Sequence, residues 1–234
     1  LWLVAAASLT VGVWKSLQPV ARVDFQRVVD WSAQLVHGSS PYLGESETDY
    51  PPWALVTLAP LTVLPSVVQA PVWIAVNVWL AGLSAVLLVR VVDTTRQMQS
   101  LLLALLLAAG PFRVLGQFSI LSFVLALAGA RHASPLVGGL LLGLGLMKPQ
   151  VGGAILLAHV FMRDWRRVGV AVCVPLVLTL VAAGLTAMSP IEMVWDYSRV
   201  LDVVHGADVG LPGHTDLKVW LAPLIPAVTS LPGA

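Results

Sequence analysis

The sequence predicts an all-α fold: a polytopic bundle of transmembrane helices, several of them short or broken, with an amphipathic helix on its outer surface. Three observations predict it. Of the 234 residues, 58% are hydrophobic and 11% charged, with a mean hydropathy of +0.87, whereas a soluble domain carries roughly 25% charged residues to cover its surface. Apolar segments recur from one end to the other, so the solvent of the chain is mostly lipid. The one long polar stretch, VDFQRVVDWSAQLVHGSSPYLGESETDYPPW, falls between the first two apolar segments, and no polar segment is long enough to build a water-soluble domain.

Taken in order, the apolar segments are 1–17, 67–92, 100–109, 119–130, 135–147, 151–162, 168–188 and 219–228. Segments 67–92 and 168–188 are long enough to span, because a helix crossing the bilayer needs about 20 residues. The four between them offer roughly 10–14 residues each and fall in two pairs, separated by PFRVLGQ and by KPQ. They are either spans lengthened by flanking residues or helices that stop part-way beside a polar cavity, a break tolerated only where protein or water covers it. Pro223 and Pro226 interrupt the last segment. The chain opens on Leu1 inside an apolar run and stops at TSLPGA, so residues 1–234 are expected to be one transmembrane domain cut at both ends.

Charge sets the expected orientation. With residues 18–52 outside as a first extracytoplasmic loop and 189–218 as a second, the short inner loops hold Arg90, Arg96, Arg131, Arg163, Arg166 and Arg167 against only Asp93 and Asp164. Dense arginine in short loops marks the cytoplasmic side. Arg113 and Lys148 then lie on the outer side, each beside a proline between apolar helices. Charges in such breaks are costly and point to function; snorkelling to headgroups is the competing account. Two of them together suggest a shared anion site. The net charge of +1 and the absence of a basic run give no reason to expect nucleic acid. The single Cys173 excludes an internal disulfide, and no metal-ligand spacing occurs; neither a metal nor another cofactor is expected.

Within the first loop, Phe25, Val28, Val29, Ser32 or Ala33, and Val36 recur at helical spacing, with Gly38 as a stop. This predicts an amphipathic helix lying on the membrane surface, with Asp24 at its start, where an N-cap role would also suit it. Asp30 falls on the solvated side. Ser-Pro and Tyr-Pro-Pro force extended or turn backbone, and Pro51 and Pro52 can open a short helix, WALVTLAPLTVLP, broken at Pro60, ended by Pro65 and too short to span. Gly139-x-x-x-Gly143 is a helix-packing motif. GLGLMK has the wrong spacing for a phosphate loop.

The succession of Asp-Phe, an amphipathic helix, Gly-x-x-Pro-Tyr, Tyr-Pro-Pro, GQFSILSFVLALAG and GLLLGLGLMKPQVGGAILLAHVFMRDWRRV resembles glycosyltransferase family 87 over about residues 20–167. That resemblance implies a GT-C membrane enzyme using polyprenyl-phosphate sugars, in a family that includes α-1,2-mannosyltransferases of phosphatidylinositol mannoside synthesis and arabinofuranosyltransferases of cell-wall assembly. It implies a lipid-linked donor, a glycolipid or polysaccharide acceptor, and a bacterial inner membrane with the active site facing outside the cytoplasm. By position, the family's general base in the first outer loop falls on Asp24.

The chemistry fits the remaining candidates. A phosphate leaving group carries its own charge, so one base can suffice where a glycosidase needs two carboxylates, and the departing oxygens need cations and N–H donors. Lys148, Arg113 and Gln117 could supply them. Tyr42, Asp49, Tyr50, Trp53 and His214 could line a sugar or acceptor site; interface anchoring explains the aromatics equally, turn chemistry explains Asp49, and His214 also reads as an exposed loop residue. The rivals are a transporter, which often shows an internal repeat not seen here, and a non-catalytic membrane assembly subunit.

Overall fold

The computed structural model of the chain describes residues 3, 6–7, 10–11, 23–43, 48–89, 98 and 118–207. Among the described residues all regular secondary structure is helical, without strands. In chain order the helices are α1 (Val23–Val36), α2 (Pro52–Leu58) running into a 3-10 turn (Ala59–Val63), α3 (Ser66–Val89), α4 (Ser119–Arg131), α5 (Pro135–Gly145), α6 (Pro149–Phe161), α7 (Trp165–Thr186) and α8 (Pro190–Ala207).

Local sequence explains the boundaries. Pro51 and Pro52 start α2, and Pro60 tightens its continuation into the 3-10 turn, which closes at the extended Leu64. The Ser134 hydroxyl accepts from the Val137 N–H to cap α5, and the Asp164 carboxylate accepts from Arg167 N–H to cap α7, each satisfying an orphan donor of a first turn. Gly38 takes φ 82 just past α1, the left-handed backbone that glycine adopts without penalty.

Among the described residues two helices, α3 and α7, are long and apolar enough to cross a membrane. Three of the four shorter segments are among the described residues. At 13, 11 and 13 residues, α4, α5 and α6 are roughly 16–20 Å long, well short of the ~30 Å hydrocarbon core. Flanking residues do not lengthen them, because His132, Leu146 and Met162 already leave the helices. Segments 1–17, 100–109 and 219–228 lie wholly or mostly outside the described residues.

Close approach holds the short helices together. A Cβ on Gly139 would sit 2.8 Å from the Arg167 carbonyl oxygen and 2.6 Å from Val170 Cβ, and one on Gly143 would sit 2.7 Å from the Ala171 carbonyl oxygen. The Gly139/Gly143 pair is therefore a packing surface for α7, as its spacing predicts. Pro175 has no N–H to give Ala171, which leaves that carbonyl turned toward α5. Between α4 and α5, Gly129 and Gly138 meet backbone to backbone, and the Ser122 hydroxyl donates to the Gly145 carbonyl.

Two expectations change. The second outer loop is expected as a loop, yet it contains the 18-residue α8. Its start is a reciprocal cap: Glu192 N–H donates to the Ser189 hydroxyl at 3.1 Å, and Ser189 N–H to the Glu192 carboxylate at 2.9 Å. Helix α1 is amphipathic, but protein covers its apolar face. Phe25, Val28, Val29, Ser32 and Leu35 are buried, while Val36 is 44% exposed. Leu35 lies seven residues after Val28 and Val36 seven after Val29, so the helical period alone does not choose between them; the packing buries Leu35.

Candidate functional site

The bundle has two chemically different ends. At one, α4, α6 and the start of α7 converge. Arg167, only 8% exposed, donates from Nη1 to the Ala130 carbonyl at 2.9 Å and from Nη2 to the His132 carbonyl at 2.7 Å. Its Nη1 also pairs with the Asp164 carboxylate at 3.4 Å, and His159 Nδ1 lies 3.5 Å from the same carboxylate. The guanidinium thus takes over the open carbonyls at the end of α4, a favourable place for a cation.

At the other end the stretch between α1 and α2 folds down onto α4, α5 and α8. The Tyr42 hydroxyl donates to the Tyr50 carbonyl at 2.8 Å, and Tyr50 N–H donates to the buried Thr48 hydroxyl at 3.2 Å. These two bonds fix the Tyr-Pro-Pro turn. The Tyr50 ring lies with its centroid 5.1 Å from Lys148 Nζ, a cation–π contact of about 0.5–2 kcal/mol. Trp53 Nε1 donates to the Leu146 carbonyl at 2.9 Å across 93 residues of sequence. That bond ties the start of α2 to the break that Lys148 and Pro149 make before α6. Lys148 itself is the extended residue preceding α6, so its ammonium adds to the positive end of a helix.

Two groups of rings support the turn. Phe118 meets Tyr50 edge-on at 5.9 Å, Trp73 at 4.3 Å and Phe25 at 6.2 Å. From α8, Tyr197 reaches Tyr42 at 5.8 Å and Trp53 at 6.4 Å. Burial, and after it the negative charge of Asp49, pushes the Tyr197 hydroxyl up to about 12. Burial, and after it Tyr197, pushes the Tyr42 hydroxyl well above the ordinary tyrosine range. Both therefore remain neutral O–H groups near pH 7, able to donate hydrogen bonds.

Of the residues picked from sequence, Tyr42, Asp49, Tyr50, Trp53 and Lys148 come together here, with Asp49 exposed at the edge. Asp24 is the second residue of α1, beside the Phe25 that enters the ring cluster. Arg113, Gln117 and His214 lie outside the described residues; Phe118, the residue after Gln117, is in the cluster. Asp30 is exposed and accepts from Gln26 at 3.0 Å, a solvated position as its spacing predicts. Sequence reasoning missed Tyr197. A signal was present: Met193, Tyr197 and Val200 follow i, i+4, i+7 and form the inward stripe of α8.

An apolar groove of about 870 Å³ opens beside the cluster, lined among others by Trp53, Leu146, Pro149, Pro175, Ile191 and Trp195. Two helices of membrane-spanning length among the described residues, in a chain that is 58% hydrophobic and 11% charged, are the features of a membrane protein. More specifically, the family model of glycosyltransferase family 87 matches residues 48–211; the chain belongs to that family and is a glycosyltransferase. The match begins later and ends later than the resemblance read from motifs, taking in α8 and leaving Asp24 outside. No curated protein and no solved structure matches the chain.

Proposed function

We propose that this glycosyltransferase is a GT-C-type, multi-pass enzyme of the bacterial plasma membrane that transfers a sugar, mannose or arabinofuranose, from a polyprenyl-phosphate donor to a glycolipid or glycan acceptor on the extracytoplasmic face. The observation that carries this reading is the juxtaposition of Lys148, held over Tyr50, with the apolar groove beginning at Trp53, Leu146 and Pro149. A phosphate and a hydrocarbon tail need those two environments side by side.

In this reading Lys148, with Arg113 and Gln117, receives the donor phosphate. Tyr42, Asp49, Tyr50, Trp53 and His214 hold the sugar and acceptor. Asp24 takes the proton from an acceptor hydroxyl as its oxygen bonds to the anomeric carbon. The bond from that carbon to the phosphate oxygen breaks, and the polyprenyl phosphate leaves with the electron pair. Direct displacement inverts the anomeric centre. Asp49 is the alternative base, because it lies within the family match, is exposed beside Tyr50 and acts on the Tyr197 hydroxyl.

The test is transfer from radiolabelled polyprenyl-phosphate mannose and arabinofuranose in membranes holding the full-length protein. Asp24→Asn is expected to lower transfer by about 10²–10⁴-fold, the usual contribution of a general base, with the protein still folded. Loss in Asp49→Asn but not in Asp24→Asn reassigns the base. Transfer by neither wild type nor variants, across a panel of glycolipid acceptors, favours a transporter or an assembly subunit.

A further inference from the structure

We propose that a second groove, at the arginine end of the bundle, is a binding site for one anionic phospholipid. This groove, of about 750 Å³, runs between α5 and α7, and Trp165, Arg166, Gly169 and Cys173 lie along its α7 wall. Leu140 and Leu144 form the facing wall.

Three features fit a phospholipid. The first is charge. Arg166 lines the mouth and is exposed, as are Arg131 and Arg163 at the same end. None of these three makes an ion pair among the described residues, where the nearest acid, Asp164, is engaged by Arg167 and His159. Arginines at the mouth of a groove between membrane helices suit the phosphate of an anionic headgroup. The second is depth. From Trp165 to Val177 the α7 wall runs about 18 Å, close to the ~15 Å of one leaflet, so an acyl chain fits along it. The third is space. A Cβ on Gly169 would meet no atom within 4 Å, so the glycine leaves a notch below the arginine. Trp165, 61% exposed, lines the groove next to Arg166, and indole rings favour the membrane interface.

This site is at the opposite end from Lys148 and stands independently of the transfer reaction. Its test is native mass spectrometry of the purified protein from micelles holding equal phosphatidylglycerol and phosphatidylcholine. Wild type is expected to retain one phosphatidylglycerol in preference to phosphatidylcholine. Arg163→Gln/Arg166→Gln should lower that preference roughly fivefold per arginine. Gly169→Phe, which fills the notch, should reduce retention of both lipids. In wild type the preference should also fall as salt is raised, a readout that needs no variant. Equal retention of the two lipids by wild type, or a preference unchanged in the double variant and by salt, would overturn the proposal.

Discussion

The two ends of the bundle use positive charge in opposite ways. At one end Arg167 is enclosed by the structure: two backbone carbonyls and the Asp164 carboxylate accept from it. At the other, Lys148 lies over the ring of Tyr50, in a helix break whose neighbours Leu146 and Pro149 line an apolar groove. A guanidinium with fixed, planar donors suits permanent carbonyl partners. A flexible ammonium over a ring face can turn toward a ligand with less reorganisation. The lesson is that a charge set among apolar helices is not by itself a sign of binding, because Arg167 is held by backbone carbonyls as part of the frame.

Breaking the frame should have the largest effect. Gly143→Leu would drive a side chain into the Ala171 carbonyl and Val174 and is expected to cost more than the ~1–3 kcal/mol of ordinary overpacking, because the obstacle is backbone. The expected result is little or no monodisperse protein by size-exclusion chromatography, with Gly153→Ala, whose added Cβ meets nothing within 4 Å, as the tolerated control.

Next come substitutions that separate the ends. Arg167→Met should cost about 2–3 kcal/mol, since charge-assisted hydrogen bonds are lost and carbonyls are left open, and should lower Tm while the surviving protein keeps its transfer rate. Lys148→Met should do the reverse: Tm changed little, transfer from the lipid-linked donor down at least tenfold. If Arg167→Met abolishes transfer in folded protein, the division between the ends is wrong.

A smaller effect is expected for Tyr42→Phe. It removes the hydroxyl that donates to the Tyr50 carbonyl, worth about 1 kcal/mol, and loosens the turn beneath Lys148; KM for the donor should rise more than kcat falls. The smallest concerns the start of α8. Hydrogen bonds from Ser189, backbone first and then side chain, hold the exposed Glu192 carboxyl below its usual range. A lowered folded-state pKa gives stability that is present above the unfolded pKa and lost as pH falls through the folded one. Glu192→Gln should therefore lower Tm slightly near pH 7, with the difference from wild type closing below about pH 4.

Much was legible beforehand because it depends on local rules. Pro51 and Pro52 opening α2, Pro60 spoiling its continuation, Lys148-Pro149 setting the break before α6, and Gly139 and Gly143 four residues apart all act within a turn or two of themselves. The inward position of Tyr197 is also written in the periodicity of Met193, Tyr197 and Val200, but the polar residues between them give that stretch the look of a loop.

By itself, then, the sequence determined that this chain is helical and strongly apolar, where prolines open α2 and α6, and which polar residues stand apart from the apolar background. Only the tertiary structure decided that Tyr50 lies under Lys148, that Trp53 reaches the Leu146 carbonyl 93 residues away, and that Leu35 rather than Val36 faces inward. The physical reason is range. Propensity, capping and proline geometry are fixed by neighbours along the chain, whereas the choice of partner across helices is made by close packing, which depends on every side chain in the contact at once.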